Sequence, residues 1–374
     1  MIRGKAMKEM NTITKPDVNY RALSALNCSM IKLFDTDPVK FFEQFKLGKK
    51  REDKSTTSTI IGDIVDFYLL DCKGDEDEFN QRLDEKFVLI GGMKGTGQAF
   101  LLADVLFKIT MNDINDDGEI TTSFGTRFSE AFSKLKSLGK YYSGKTEKEA
   151  LEDFNKKGYD YFEAMLDNIG KIVVDRSLID KSKKIAKIIL EDQFTRDMFI
   201  NDDEHTEDFY KFPIEWKYKC KDGRVMECKS EIDMMRIDHS KQIIYLRDLK
   251  TTYDNENFEL SYIKRAYYLQ AAFYYKAVLY WAKTEGMEEY KIIPMQFVVG
   301  DTSMNNRRPI IYFTTEEDLK KSTEGFILKG GVPHKGLDSI IEEIAWAEET
   351  DSWNCSKTVL DNLGVIPLSL NYEK

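Results

Sequence analysis

The run Met226–Thr252 constrains the fold more than any other stretch of this chain. Two segments rich in Ile, Met, Tyr and Leu flank the polar turn His239–Ser240–Lys241, which predicts a β-hairpin. Asp233 stands on the first strand. Asp248 and Lys250 stand on the second, two residues apart, so the period of a strand points both side chains to one face. The same alternation sends Ile232, Met234 and Leu249 to the other face, predicting acids at a cleft and apolar partners in a core. Two carboxylates on one face suit hard divalent cations. An ammonium beside them can align or polarise a water and offset negative charge on a reacting phosphate. Glu231 shares the Asp233 face by the period-two rule, and Glu215 lies on the preceding strand, so both are accessory candidates. An isolated Asp-x-Lys triplet is common on strand surfaces, and the argument rests on what surrounds it.

The 374 residues are enough for a sizeable core, and 42% hydrophobic content with 12% aromatic residues indicates a globular chain. The formal charge of −10 excludes a chain-wide electrostatic footprint for nucleic acid, so any phosphate binding must be local. Five scattered cysteines without a Cys-x-x-Cys pair point to reduced thiols. Met1–Lys8 lacks the apolar core of a signal peptide, and the most apolar helical text, 266–282, is interrupted by Gln270 and Lys276. The expectation is a soluble cytoplasmic protein with no membrane partner.

Along the chain, Ser24–Phe45 reads as two short helices, the second opened by Pro38 after Asp37 as its cap. A charged stretch then leads to a buried helix over Thr59–Asp71. Residues 74–205 read as a large helical insertion. Strands are predicted from Phe209 through the hairpin, then a long aromatic helix over Leu260–Lys283. Further strands follow at Ile292–Gly300 and Pro309–Thr314, then a helical tail. The expected domains are 1–73, 74–205 and 206–374. The order of elements predicts an α+β (α/β) fold with a mixed sheet flanked by helices.

Gln270 and Tyr274, four residues apart, share one face of the helix that follows the Lys250 strand. Packed over the hairpin, they could orient Lys250 or hydrogen-bond a ligand, although the aromatic text around Tyr274 also suits a core. Among the basic clusters, Lys264–Arg265 and Lys49–Lys50–Arg51 are the candidates for phosphate contacts. Two stretches mimic known motifs. Asp113–Glu119 resembles the start of an EF-hand loop, but Phe124 stands where the loop needs Glu. Gly92–Gly97 lacks the Gly-Lys-Ser/Thr ending of a phosphate loop. His205, His239 and His334 have no ligand spacing, which leaves zinc sites and serine triads without support.

Taken in order, these residues resemble the PD-(D/E)xK nuclease superfamily, and within it the exonuclease VIII-like (RecE-like) and RecB-type branch. Ser29–Phe42, with Pro38 followed by aromatics, looks like that branch's opening motif. Gly62–Asp66 is similar to its Gly-x-x-x-His helix, with aspartate in place of histidine. Glu215–Trp216 precedes the sheet acids, Ile232–Asp233 matches the first core aspartate, Asp248–Leu249–Lys250 the second core motif, and Gln270–Tyr274 the Gln-x-x-x-Tyr helix. The resemblance spans most of the chain outside the helical insertion. The branch's C-terminal cysteine cluster, found in its iron–sulfur members, is absent.

The resemblance implies a restriction-endonuclease-like core and a metal-dependent deoxyribonuclease, with an exonuclease acting on duplex ends in phage-type recombination as the expected activity. Mg²⁺ (or Mn²⁺) would be held by Asp66, Asp233, Asp248 and the Leu249 carbonyl, and Lys250 would position the attacking water. Aspartate at position 66 is an oxygen ligand suited to those ions. It also implies DNA as partner, a single-strand-annealing recombinase, a homo-oligomer and a phage or prophage setting. The alternative, motivated by the missing histidine, is a catalytically silent member that binds DNA or serves a structural role.

Overall fold

Gly223, at φ 94°, supplies the left-handed residue that lets the chain reverse between two fourteen-residue strands. These are β1 (Thr206–Lys219) and β2 (Val225–Asp238), and Cys220 N–H closes the turn on the Arg224 carbonyl at 2.8 Å. A second turn follows Asp238, whose carboxylate accepts from Ser240 Oγ at 2.7 Å and from the Lys241 amide at 2.9 Å. It leads into β3 (Ile243–Thr252). The computed structural model describes residues 24–49, 56–89, 97–115, 119–139, 141–201 and 203–365. They divide into two compact units, one of residues 1–49 with 188–374 and one of residues 50–187. These divisions differ from the boundaries expected at 73 and 205: the Thr57–Asp66 helix groups with the helices that follow it.

In the first unit the chain passes from β3 through α3 (Phe258–Lys264) and α4 (Tyr267–Thr284) to β4 (Lys291–Asp301) and β5 (Ile310–Phe313). The sheet has the order β1-β2-β3-β4-β5. Neighbours are antiparallel except β3 and β4, which are parallel because a helical crossover joins them. This is the mixed five-stranded sheet of an α+β fold.

One face of the sheet carries the core of this unit. Phe212, Ile214, Trp216, Met235, Leu246 and Phe297 from the strands meet Phe273 and Val278 of α4. Trp216 crosses the Phe273 ring edge-on at 4.9 Å and donates its indole N–H to Ser230 Oγ at 3.1 Å. Ala271 and Ala272, both fully buried, let the α4 backbone approach closely. Each large side chain so buried contributes about 1.5–3 kcal/mol. Two N-terminal helices, α1 (Cys28–Thr36) and α2 (Pro38–Phe45), join the same core. They are capped by Asn27 on the Met30 amide and by Asp37 on the Lys40 amide, with Pro38 at the first helical position. Trp353 stacks on Phe41 and Phe42 at 5.7 and 5.1 Å.

The long helix expected over Leu260–Lys283 is two helices. Ala266 adopts φ 48°, ψ 45° between them, a left-handed conformation that costs a Cβ-bearing residue roughly 1–2 kcal/mol. The tail adds an unexpected hairpin, Gly325–Ile327 with Pro333–Lys335, before the helix Leu337–Thr350.

In the second unit, Thr57–Asp66 runs directly into a π-helical turn, Phe67–Asp71, with four consecutive buried residues. The helices Gln98–Asn112, Phe124–Ser137, Glu147–Lys157 and Tyr159–Asp167 pack around Phe128, Phe154 and Phe162. A short parallel pair, Phe87–Leu89 with Ile172–Val174, is the strand content that the helical pattern did not announce. The Asp113 carboxylate is spent inside its own loop, accepting from the Thr122 amide and hydroxyl at 2.8 and 2.7 Å, so the EF-hand likeness ends as a polar turn. The glycine-rich stretch before Gly97 lies outside the described residues. Among the described residues no helix is long and apolar enough to cross a membrane.

Candidate active site

Pairing between β2 and β3 runs from Asp238↔Ile243 to Met234↔Arg247 and stops one residue short of Asp233 and Asp248. Further along, the edge of β2 is taken by another segment. Leu26 N–H donates to the Glu227 carbonyl at 2.9 Å, and Lys229 N–H donates to the Leu26 carbonyl at 2.7 Å. The two strands therefore part where the acids stand. The Leu249 amide donates to Asp233 Oδ2 at 3.4 Å.

A second irregularity lies across β1. Lys211 has φ 50°, and the registered pairs pass from Tyr210↔Met234 to Phe212↔Ile232 without it. The pleat is interrupted there, which corrects one expectation. Ile232 joins Met235 and Ile237 in the core beneath α4 instead of sharing a face with Met234 and Leu249. Glu231, half-buried, stands on the far side of that interruption, where the period-two relation to Asp233 no longer holds. Glu215 is exposed on β1, opposite Lys229 in register.

Asp248 has no exposure. Its Oδ2 is ion-paired with Lys250 Nζ, and its Oδ1 accepts from Gln270 Nε2 of α4 at 2.6 Å. Burial pushes its carboxyl up to about 7; Lys250 pulls it down, and the nearby Asp233 carboxylate pushes it up again. Burial works against the charge of Lys250, but Asp248 and Asp233 outweigh it and hold the ammonium above its ordinary range. Lys250 Nζ also donates to the Leu249 carbonyl at 3.3 Å. Asp248 and the Leu249 carbonyl, two of the oxygen groups expected on the sheet, thus both meet this ammonium.

Tyr267, on the first turn of α4, faces this group. Lys250 Nζ lies 5.1 Å from its ring centroid and Lys32 Nζ, from the helix Cys28–Thr36, lies 4.9 Å from the same ring. Burial lowers the Lys32 pKa; Cys28 opposes it and Lys250 adds to it. Sequence reasoning missed Lys32 and Tyr267. The available signal was a lysine one turn after Cys28 in an otherwise apolar helix face, inside the Ser29–Phe42 motif.

The remaining candidates are dispersed. Tyr274 is half-buried one turn beyond Gln270 and packs against the core. Lys264 and Arg265 are exposed at the end of α3, next to Tyr267 in sequence. Lys49 is exposed and paired with Glu43 at 2.5 Å, and Lys50 and Arg51 lie outside the described residues. Asp66, half-buried, ends the Thr57–Asp66 helix in the second unit.

Among the described residues no group of three or more His, Cys, Asp or Glu side chains is placed to hold a metal ion. What the first unit offers is a pair, Asp233 and Asp248, with the Leu249 carbonyl held against the same Lys250 ammonium as Asp248. That pair fits Mg²⁺ chemically. Burial disfavours the Asp248 charge and the Asp233 carboxylate disfavours it further, a repulsion that a cation relieves. Mg²⁺ commonly takes one or two carboxylates and completes its shell with water and phosphate oxygens. No protein-family model matches the chain, and no curated protein matches it.

Proposed function

We propose that the chain is a metal-dependent deoxyribonuclease of the PD-(D/E)xK kind, with Asp233, Asp248 and Lys250 as its working residues. The observation that carries this reading is the parting of β2 from β3 at two mutually repelling carboxylates beside an ammonium. A bound Mg²⁺ or Mn²⁺ supplies Lewis-acid activation of a water and of the scissile phosphate. Asp233 and Asp248 hold that cation together with the Leu249 carbonyl. Lys250 orients the attacking water and offsets charge on the phosphate, and Gln270 fixes the Asp248 carboxylate in one rotamer. Action as a duplex exonuclease beside an annealing recombinase, in a cytoplasmic phage or prophage setting and as an oligomer, belongs to the same proposal.

A second reading has its own support. Asp248 is wholly buried with both oxygens engaged, the arrangement of a structural ion pair in a silent DNA-binding relative. Linear duplex DNA incubated with the purified chain and Mg²⁺ or Mn²⁺ separates the two. Loss of the DNA that stops in Asp248→Asn and Lys250→Met, with folding retained, supports the nuclease. Intact DNA with the wild-type chain, or degradation that persists in both variants, removes it.

A further inference from the structure

Lys32 belongs to the helix Cys28–Thr36, yet its ammonium reaches the group around Lys250. Among the described residues it has no carboxylate in ion-pair contact, whereas Lys250 is paired with Asp248. Burial is the main influence against its charge; Lys250 adds to it, while Cys28 and Asp248 offset part of it. A partly buried cation without an anionic partner is costly unless a ligand supplies the anion. The aromatic ring it shares with Lys250 is a weak substitute, worth about 0.5–2 kcal/mol.

We propose that Lys32 is a second phosphate-binding cation of this site. It takes a phosphodiester next to the one facing Lys250, and the Tyr267 ring sets the spacing of the two ammonium groups. Three features converge on this assignment. One ring contacts both ammonium nitrogens, at 4.9 and 5.1 Å, so the two cations are positioned together. Lys250 is paired with Asp248 and donates to the Leu249 carbonyl, whereas Lys32 has no carboxylate in ion-pair contact among the described residues and keeps its charge for an incoming anion. Tyr267 opens α4 directly after the left-handed Ala266, so the end of the helix that meets the two lysines starts at a fixed backbone break. The proposal rests on the nuclease reading for the identity of the anion as a DNA phosphate. Its chemistry requires only an oxyanion.

The test uses the full chain and a fluorescein-labelled duplex oligonucleotide in chelator, so that binding is read without cleavage. Lys32→Gln is expected to weaken binding about tenfold or more and to reduce the salt dependence by about one released counterion, while Lys32→Arg keeps both. Tyr267→Leu is expected to weaken binding in the wild-type background and to have little further effect in Lys32→Gln, the coupling expected of a ring that positions one cation. Thermal melts confirm folding. If Lys32→Gln fails to fold, the comparison of wild type, Lys32→Arg and Tyr267→Leu decides, because a structural lysine leaves binding and salt slope unchanged in Tyr267→Leu. Wild-type affinity and salt slope in folded Lys32→Gln, alongside cleavage that is lost in Asp248→Asn, overturn this proposal and leave the nuclease standing. A wild-type chain that neither binds nor cleaves DNA overturns both.

Discussion

Gln270 on α4 donates its side-chain amide to Oδ1 of the fully buried Asp248 at 2.6 Å, tying the longest helix of the first unit to the central strand of its sheet. Gln270→Ala removes the donor and leaves a buried carboxylate oxygen unsatisfied, which costs about 1–3 kcal/mol. Urea denaturation is expected to show a loss of that size. Lys264→Ala, at an exposed position on α3, is expected to stay within about 0.5 kcal/mol. Equal midpoints for Gln270→Ala and wild type contradict the account.

The proton on Asp248 competes with any cation at the same oxygens. Its folded-state pKa lies near 7, so at pH 6 the carboxyl is largely protonated and metal entry must release that proton. Cleavage of linear DNA is expected to rise with pH and level off above about 7, with the midpoint moving to lower pH as Mg²⁺ is raised. A flat profile between pH 5 and 8 rules out Asp248 as the titrating ligand.

Lys250 has a measurable effect on stability as well. Because the folded pKa of Asp248 exceeds its ordinary value, the folded state keeps a proton that the unfolded chain has released. On this group's account, stability therefore falls as pH rises from the usual carboxylate range to about 7 and is constant beyond. Lys250→Met removes the charge that pulls the Asp248 pKa down, so the decline is expected to continue to higher pH. Denaturation midpoints at pH 5, 7 and 9 should diverge from wild type most at pH 9. Parallel curves refute the coupling.

Ala266 sits at φ 48°, where a side chain is penalised and glycine is not. Ala266→Gly trades that relief, roughly 1–2 kcal/mol, against glycine's greater unfolded-state entropy, roughly 0.5–1 kcal/mol. Its melting temperature should match or slightly exceed wild type. Ala266→Val adds β-branching to the same backbone and should melt well below both.

Trp353 stacks on Phe41 and Phe42 and donates its indole N–H to Asp351 Oδ1 at 2.9 Å. Trp353→Ala is expected to cost about 3–5 kcal/mol. The accompanying loss of near-ultraviolet circular dichroism should identify a packing defect; unchanged stability excludes the tryptophan as an anchor.

Asp248 and Lys250 were legible in the sequence because a two-residue spacing on a regular strand determines a shared face. The two-helix start was legible from Asp37 and Pro38 for the same reason, a local rule with a local cause. Ile232 was misassigned because alternation cannot register a left-handed Lys211 on the neighbouring strand. The division between α3 and α4 was invisible because Arg265–Ala266–Tyr267 contains neither Gly nor Pro, and tertiary packing imposes the break. Lys32 was overlooked since its aromatic partner lies far along the chain, and no periodicity links the two positions.

The first unit draws on both ends of the polypeptide, with Leu26 hydrogen-bonded beside Cys228 and Phe41 stacked on Trp353. On the ribosome, residues 24–45 emerge long before either counterpart exists. They must wait while 50–187, whose contacts are contiguous in sequence, can already collapse. A nascent chain that has not yet reached Trp353 is therefore expected to leave the apolar faces of its earliest helices uncovered.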